Sequence, residues 1–259
     1  MAYTKEVLNL AVEVGEAMLR SGAEIYRVED TVKHILNAYE VDDCNIYVLS
    51  NGIFASANEG KEDVCSIIRH VPLSAVHLSR IAALNQLSRE ICSHECSLMD
   101  AWIRLDECKA LKNYSMKKQL FFCGLGCAGF AWLCGGQIID AVITFFIGVL
   151  LRAMILMAEK YKISALMVNL SGSFLTTAVS LLMANLGLPV LQDKIVIGGI
   201  MALVPGITFT TSVRDFMNGD YLSGVIHMSD ALLTSFEIAV GVGAMFAFYQ
   251  MITGGAFGV

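Results

Sequence analysis

The fold is decided by residues 119–158, which read QLFFCGLGCAGFAWLCGGQIIDAVITFFIGVLLRAMILMA. These 40 residues carry only two charged side chains, Asp140 and Arg152. A helix needs about 20 mostly apolar residues to cross the hydrocarbon core of a bilayer. The stretch is therefore long enough for two transmembrane helices, which we predict at 119–139 and 141–158.

Further apolar stretches follow toward the C-terminus. Residues 163–192 are uncharged but longer than one span needs, so we end this span before the loop signal Gly187-Leu188-Pro189. The remaining spans are predicted at 195–213 and 231–253. The predicted membrane domain, residues 119–259, thus has five transmembrane helices.

The preceding residues have a different composition. Of the first 118 residues 30 are charged, against 12 of the last 141, and the change falls at Lys117 and Lys118. Periodicity predicts helices at 4–20, 24–38, 73–92 and 95–112, and strands at 45–50, 53–57 and 64–71. Asn51-Gly52, between the first two strands, is typical of a type I′ hairpin turn. The fold class is therefore an α-helical membrane protein with a small α+β domain, residues 1–118, in front of it.

Loop charges predict the orientation. Seven Lys or Arg residues flank the side of the spans that carries the N-terminal domain, and Lys194 alone lies on the other. Positive loops stay inside, and the N-terminus shows no signal-peptide pattern. We expect a cytoplasmic N-terminal domain and, with five spans, a C-terminus outside.

Several function classes are disfavoured. The net charge of −6, without a long basic run, argues against nucleic acid as a partner. The eight cysteines form no Cys-x-x-Cys pair, so reduced structural thiols are a better interpretation than a metal site. Common hydrolase, P-loop and dinucleotide motifs are missing. We expect no enzyme and no cofactor.

Polar residues inside the spans are the candidate site. They lie on helix faces or at the helix break around Pro205. Each also has a purely structural explanation: helix–helix contacts for the polar faces, a simple kink for the break, and an ion pair with Arg152 for Glu237. For loop residues 214, 215 and 220, the alternative to a role in the transport pathway is a solvated salt bridge. The transport-pathway candidates are Asn169, Ser173, Pro205, Gly206, Thr208, Arg214, Asp215, Asp220, Asp230 and Glu237.

Two motifs resemble a known family. Residues 21–32, SGAEIYRVEDTV, are similar to the opening motif of the threonine/serine exporter family. The family's second motif also has a counterpart in this chain, which consists of Val204-Pro205-Gly206, Arg214-Asp215, Gly219-Asp220 and Ser223-Gly224. Residues 78–89 resemble the soluble domain of the family. In the first motif the candidate residues are Gly22, Glu24, Tyr26, Arg27, Glu29 and Asp30.

The resemblance implies a bacterial inner-membrane exporter of small polar metabolites. These are threonine and serine in some members and succinate-like dicarboxylates in others. Long members carry a second membrane half, so this chain is similar to a split form whose partner is a small membrane protein of about four spans. A homo-oligomer is a further expectation. His227 and Asp230 stand where many members have Arg and Glu.

The resulting hypothesis is proton-coupled export. Substrate would pass Arg214 and bind near Pro205-Gly206, while Glu237 or Asp230 titrates. The segment 24–30 would bind substrate or gate the cytoplasmic mouth. The alternative is a membrane-anchored enzyme or sensor that acts through the polar residues of the N-terminal domain.

Overall fold

A computed structural model describes residues 2–41, 43–58, 64–72, 76–112 and 114–253. The chain forms two compact units. The first comprises residues 1–113 together with 211–227, and the second comprises residues 114–210 together with 228–259. Segment 211–227, which includes the end of the predicted span 195–213, thus belongs to the same unit as the N-terminal domain.

The first unit has four helices and three strands before residue 113. They are α1 (Ala2–Leu19), α2 (Ile25–Ala38), β1 (Cys44–Leu49), β2 (Gly52–Asn58), β3 (Val64–His70), α3 (Leu78–Cys92) and α4 (Leu98–Lys109). The strands form one antiparallel sheet in the order β1-β2-β3. The predicted elements are therefore present, except that α3 begins at Leu78, and residues 73–75 of its predicted start lie outside the described residues.

The β1–β2 hairpin is confirmed, but its turn differs from the prediction. Leu49 pairs with Gly52, so the turn residues are Ser50 and Asn51. A type I′ turn requires positive φ angles at both central residues. Among the described non-glycine residues, φ is positive only at Glu40, His94 and Lys162, so the predicted type I′ turn is not formed.

Helix α1 lies at the centre of the first unit. It contacts α2, β2, β3, α3 and α4, and its side chains Val7, Leu8 and Leu10 are fully buried. The apolar stripe predicted for α2 is confirmed, because Ile25, Val28, Val32, Ile35 and Leu36 are all buried. The turn between these helices uses Gly22, whose φ of +78° favours glycine.

The second unit is helical. Its helices are α5 (Met116–Leu133), α6 (Ile138–Tyr161), α7 (Ala165–Asn185), α8 (Gln192–Ile200), α9 (Gly206–Asn218) and α10 (Tyr221–Thr253). The last residues of α9 and the first of α10 belong to the first unit. Residues 254–259, which include the C-terminus predicted to lie outside, are not among the described residues.

Three of the described helices are long and apolar enough to cross a membrane, namely α6, α7 and α10. Helix α5 has 18 residues and includes Lys117 and Lys118 in its first turn. The predicted span 195–213 consists of two short helices, α8 with 9 residues and α9 with 13. The five predicted spans are therefore not confirmed by the structure.

Helix α8 packs closely inside the second unit, where it contacts α5, α6 and α7. A Cβ atom on Gly198 would lie 2.8 Å from the backbone nitrogen of Ala131 on α5. One turn of backbone therefore touches another, as is common between membrane helices with small residues at the contact. This contact fixes α8 close to its end at Ile200, five residues before Pro205.

Candidate functional site

The two family-like motifs meet within the first unit. The side chain of Glu24, at the N-terminus of α2, forms an ion pair with Arg214 of α9. Its second oxygen, Oε2, lies 3.2 Å from Nε of Arg27. One carboxylate thus binds two guanidinium groups, which is the charge-assisted geometry that arginine favours.

A contact between Asp215 and His227 links α9 to α10 across the turn between them. Oδ2 of Asp215 lies 2.8 Å from Nδ1 of His227, and the Ser212 hydroxyl donates to the carbonyl oxygen of Gly224 over 2.9 Å. Asp215 is only 3% exposed. A buried carboxylate is stable only when it is paired or hydrogen-bonded, so His227 is an essential neighbour of Asp215.

Asp220 lies in the turn itself, and its backbone N–H donates to the carbonyl oxygen of Asp215 over 2.9 Å. Burial raises the pKa of the Asp220 carboxyl, and the negative charges of Asp215 and Glu29 raise it further. The turn therefore holds more negative than positive charge near Asp220.

The remaining candidates of the first motif are more exposed. Arg27 Nε donates to the Tyr26 hydroxyl over 3.2 Å. Glu29 pairs with Lys33 at 2.5 Å, and Asp30 lies 3.5 Å from His34. Of the acidic residues in this motif, Glu24 is the one bound to the second motif.

The second unit contains the chain break at Pro205 and Gly206. Helix α8 ends at Ile200, and α9 begins at Gly206. The N–H of Phe209 donates to the carbonyl oxygen of Pro205 over 3.0 Å, which starts the α9 hydrogen-bond ladder. No heavy atom lies within 4 Å of a Cβ placed on Gly206, and Thr208 is half-buried. The break therefore leaves an open backbone at the start of α9.

Glu237 of α10 accepts a hydrogen bond from Nδ2 of Asn169 on α7 over 2.8 Å. The alternative partner, Arg152, instead contacts Gln119 at 2.5 Å and Glu159 at 3.8 Å. The structure thus brings together two candidates that lie on different helices.

The positions of Ser173 and Asp230, two other polar candidates of the second unit, do not indicate a specific role. Ser173 is fully buried, and its hydroxyl donates to the carbonyl oxygen of Asn169 over 2.7 Å. Asp230 is exposed and makes no ion pair with the described residues. These observations leave the helix-contact interpretation of Ser173 open.

Asp140 is a buried carboxylate whose contacts were not predicted from the sequence. It is fully buried, and its carboxylate accepts hydrogen bonds from the backbone N–H groups of Gln137 at 2.7 Å and Leu191 at 3.0 Å. It thereby caps α6 and also binds the start of α8. The capping-box spacing from Gln137 to Asp140 is a signal that could have found it.

A comparison with known protein families decides the identity. The family model for threonine/serine exporters, ThrE, matches residues 9–249. The chain belongs to the threonine/serine exporter family. The resemblance carried by the two motifs is confirmed, and by its name the family is one of transporters rather than enzymes.

Two relatives of this family match almost the whole chain. A Mycobacterium tuberculosis protein named "Probable threonine/serine exporter" is 26% identical over 250 residues, covering 93% of this chain and 46% of the relative. The "Threonine/serine exporter" of Corynebacterium glutamicum is 24% identical, covering 92% of this chain and 50% of the relative. The chain thus spans about half the length of the curated relatives it matches. No solved structure shows significant similarity.

Family membership and the three long apolar helices together identify a bacterial membrane protein. Within the described residues there is no group of three or more His, Cys, Asp or Glu side chains placed to hold a metal ion. The chemistry that the described site offers is charge pairing and hydrogen bonding.

Proposed function

We propose that the chain is a subunit of a secondary transporter that exports small polar metabolites from the bacterial cytoplasm. The substrate class is threonine/serine-type amino acids or succinate-like dicarboxylates. The observation that carries this proposal is the ion pair between Glu24 and Arg214. It binds the first motif to the segment that follows the broken helix, as expected of a gate over a transport pathway.

The proposed topology has five spans, and the fourth, at about 195–213, is a broken segment made of α8 and the first part of α9. Helix α5 would cross with Lys117 and Lys118 at the membrane surface, where lysines extend their ammonium groups into water. The N-terminal domain would face the cytoplasm, on the side with more Lys and Arg.

Substrate would bind where the broken helix exposes its backbone. Interrupted transmembrane helices present N–H groups at the start of one half and carbonyl oxygens at the end of the other. The open space at Gly206 supports this position. The N–H groups at the start of α9 suit a carboxylate, and the carbonyl groups at the end of α8 suit an ammonium.

Proton coupling is assigned to Glu237. A carboxylate within a membrane helix is energetically costly, so its presence favours a functional role. The contact of Glu237 with Asn169 is a hydrogen bond from a neutral amide. Such a contact satisfies the carboxylate without a permanent positive charge, so the group can gain and lose a proton.

The partner would be a second, smaller membrane subunit. The curated relatives are about twice as long as the matched region, and transporters are often built from two membrane halves. A homo-oligomer is the other arrangement that would complete the pathway.

Substituting Glu237→Gln tests the coupling. We expect efflux to lose its dependence on external pH while exchange of substrate across the membrane continues, because glutamine keeps the hydrogen bond to Asn169 but carries no proton in exchange. Glu159→Gln is a suitable control, since Glu159 is exposed and lies 3.8 Å from Arg152. Unchanged pH dependence in Glu237→Gln would remove this residue from the mechanism.

A further inference from the structure

Besides its backbone hydrogen bonds, the turn between α9 and α10 has two side-chain contacts of different chemistry that join the two helices. The bond from Ser212 to Gly224 joins a hydroxyl to a backbone carbonyl and does not change with pH. The contact from Asp215 to His227 joins two groups that both titrate. The second contact alone can therefore respond to protons.

Both partners of this contact are shielded from water. The side chain of Asp215 is 5% exposed and that of His227 is 14% exposed. An exposed ion pair contributes little because water and salt screen it, whereas a shielded carboxylate strongly depends on the charge of its partner. The charge on His227 thus has a large effect on this turn.

The neighbouring Lys and Arg side chains form ion pairs with other carboxylates. On α2, Lys33 pairs with Glu29 and Arg27 pairs with Glu24. On α9, Arg214 pairs with the same Glu24. Among the described ion pairs, none gives Asp220 a cation, and His227 is the cation source for Asp215.

The charge balance of the turn therefore changes when His227 changes its charge. Histidine ordinarily gains or loses its charge between about pH 5 and about pH 8. When His227 is protonated, its positive charge offsets the carboxylate of Asp215. When His227 is neutral, the carboxylates of Asp215 and Asp220 repel each other without a compensating positive charge from His227.

We propose that the Asp215–His227 pair is a proton-operated latch, which opens the α9–α10 turn as the pH of its compartment rises. Because Arg214 precedes Asp215 in α9, opening would also move the guanidinium that binds Glu24. The latch rests on the proposed function for its role, since it would regulate export from the cytoplasmic side. Export would be low at acidic cytoplasmic pH and would rise as the cytoplasm becomes alkaline.

Hydrogen–deuterium exchange of the purified full chain in detergent tests the latch without any substrate. The reporter is the peptide that covers Gly219–Gly224, where the N–H groups of Gly219, Asp220 and Gly224 are hydrogen-bonded. After correction for the intrinsic effect of pH, we expect about tenfold faster exchange at about pH 8 than at about pH 6, across the range in which histidine titrates.

Two substitutions separate charge from structure. His227→Gln lacks the charge at both pH values, so exchange should be fast at both. His227→Arg keeps the charge at both, so exchange should be slow at both. His34→Gln is the matched control, because His34 lies beside Asp30 in an exposed pair, and it should retain the wild-type response.

Exchange that is equal at the two pH values in the wild type, or a wild-type response in His227→Gln, would overturn the latch. If His227→Arg does not fold, the wild type and His227→Gln still decide the result. The readout is also independent of transport. A chain that shows the pH-dependent exchange but exports none of threonine, serine or succinate would contradict the proposed function and leave the latch intact.

Discussion

At the scale of single residues, the account rests on Glu24, which binds two arginines from different parts of the chain. Its loss would leave Arg27 and Arg214 facing each other without a counter-charge. Like charges at short distance repel, and the penalty is larger where water is partly excluded. The carboxylate is therefore the group on which the contact between the two motifs depends.

Substitution of Glu24→Gln or Arg214→Gln is expected to lower efflux by about tenfold, which corresponds to about 1.4 kcal/mol. Exchanging the charges, by Glu24→Arg together with Arg214→Glu, should restore part of the activity. The measurement is the initial rate of efflux from preloaded cells at equal expression. The control is Glu16→Gln, whose carboxylate lies 2.8 Å from Arg20 and 3.8 Å from Arg69. It contacts neither family-like motif and should not change the rate. Wild-type efflux in Glu24→Gln would contradict the role of the pair.

Asp220→Asn is expected to raise the melting temperature at neutral pH. A carboxyl whose pKa is raised by folding binds a proton more tightly in the folded chain, so its ionised form opposes folding. This penalty is absent well below the ordinary Asp pKa of about 3.9 and is complete above the raised pKa. The difference between variant and wild type should therefore shrink toward acidic pH, as measured by thermal unfolding.

Glu90→Gln provides a control with the opposite sign. Hydrogen bonds from Gln86 and Arg104 lower the pKa of Glu90, so its ionised form favours folding. This variant should lower the melting temperature at neutral pH, and the loss should disappear as the pH falls. A stabilising effect of Asp220→Asn that is equal at all pH values would contradict the electrostatic explanation.

At the scale of elements, the sequence predicted helices and strands well where an apolar pattern repeats. The stripe from Ile25 to Leu36 follows helical spacing, and all five of its members are buried. The residue pattern did not predict the position of the β1–β2 turn, which depends on backbone geometry. Asn51-Gly52 is favourable for a type I′ turn, yet the turn lies one residue earlier, at Ser50-Asn51, with Leu49 opposite Gly52.

The break in the fourth predicted span was anticipated from Pro205 and Gly206, but its extent was not. The structure leaves residues 201–205 between α8 and α9, because proline lacks an N–H and disfavours the helical conformation in the residue before it. The anchor of α8 on Asp140 was missed, since the bond to Leu191 joins residues far apart in sequence.

Gly241→Ala tests the crossing of α7 and α10. A Cβ at this position would overlap Oγ of Ser173 and lie 2.5 Å from the carbonyl oxygen of Leu170, which is backbone and yields little. We expect a loss of about 1–3 kcal/mol in stability, typical of overpacking, measured by thermal unfolding in detergent. Gly243→Ala, two residues away, has no atom within 4 Å of its Cβ and should have little effect. Equal effects of the two substitutions would contradict this packing.

At the scale of the whole molecule, charge density separated a charged N-terminal part from an apolar C-terminal part. It did not reveal that residues 211–227 belong to the N-terminal unit. The reason is physical, because composition reports which surfaces avoid water, whereas the grouping depends on specific pairs such as Glu24 with Arg214. The two motifs indicated the family before any pairing was known.

The same limit applies to the candidate site. Sequence alone named Glu237 and Asn169 as polar residues on two spans, but their hydrogen bond is a property of the helix crossing. His227 was noted as unusual, whereas its contact with buried Asp215 required the folded turn. Residue types are therefore predictable from the sequence, and partners require the structure.

Efflux from cells preloaded with threonine, serine or succinate tests the central claim most directly. The chain would be expressed alone and together with a candidate second subunit, a small membrane protein of about four spans. The control is Glu24→Gln, which lacks the ion pair with Arg214. The account predicts efflux of at least one of these metabolites, strongest with the second subunit and reduced in Glu24→Gln. No efflux of any of the three in either arrangement would contradict the exporter and favour an enzyme or sensor acting through the N-terminal domain.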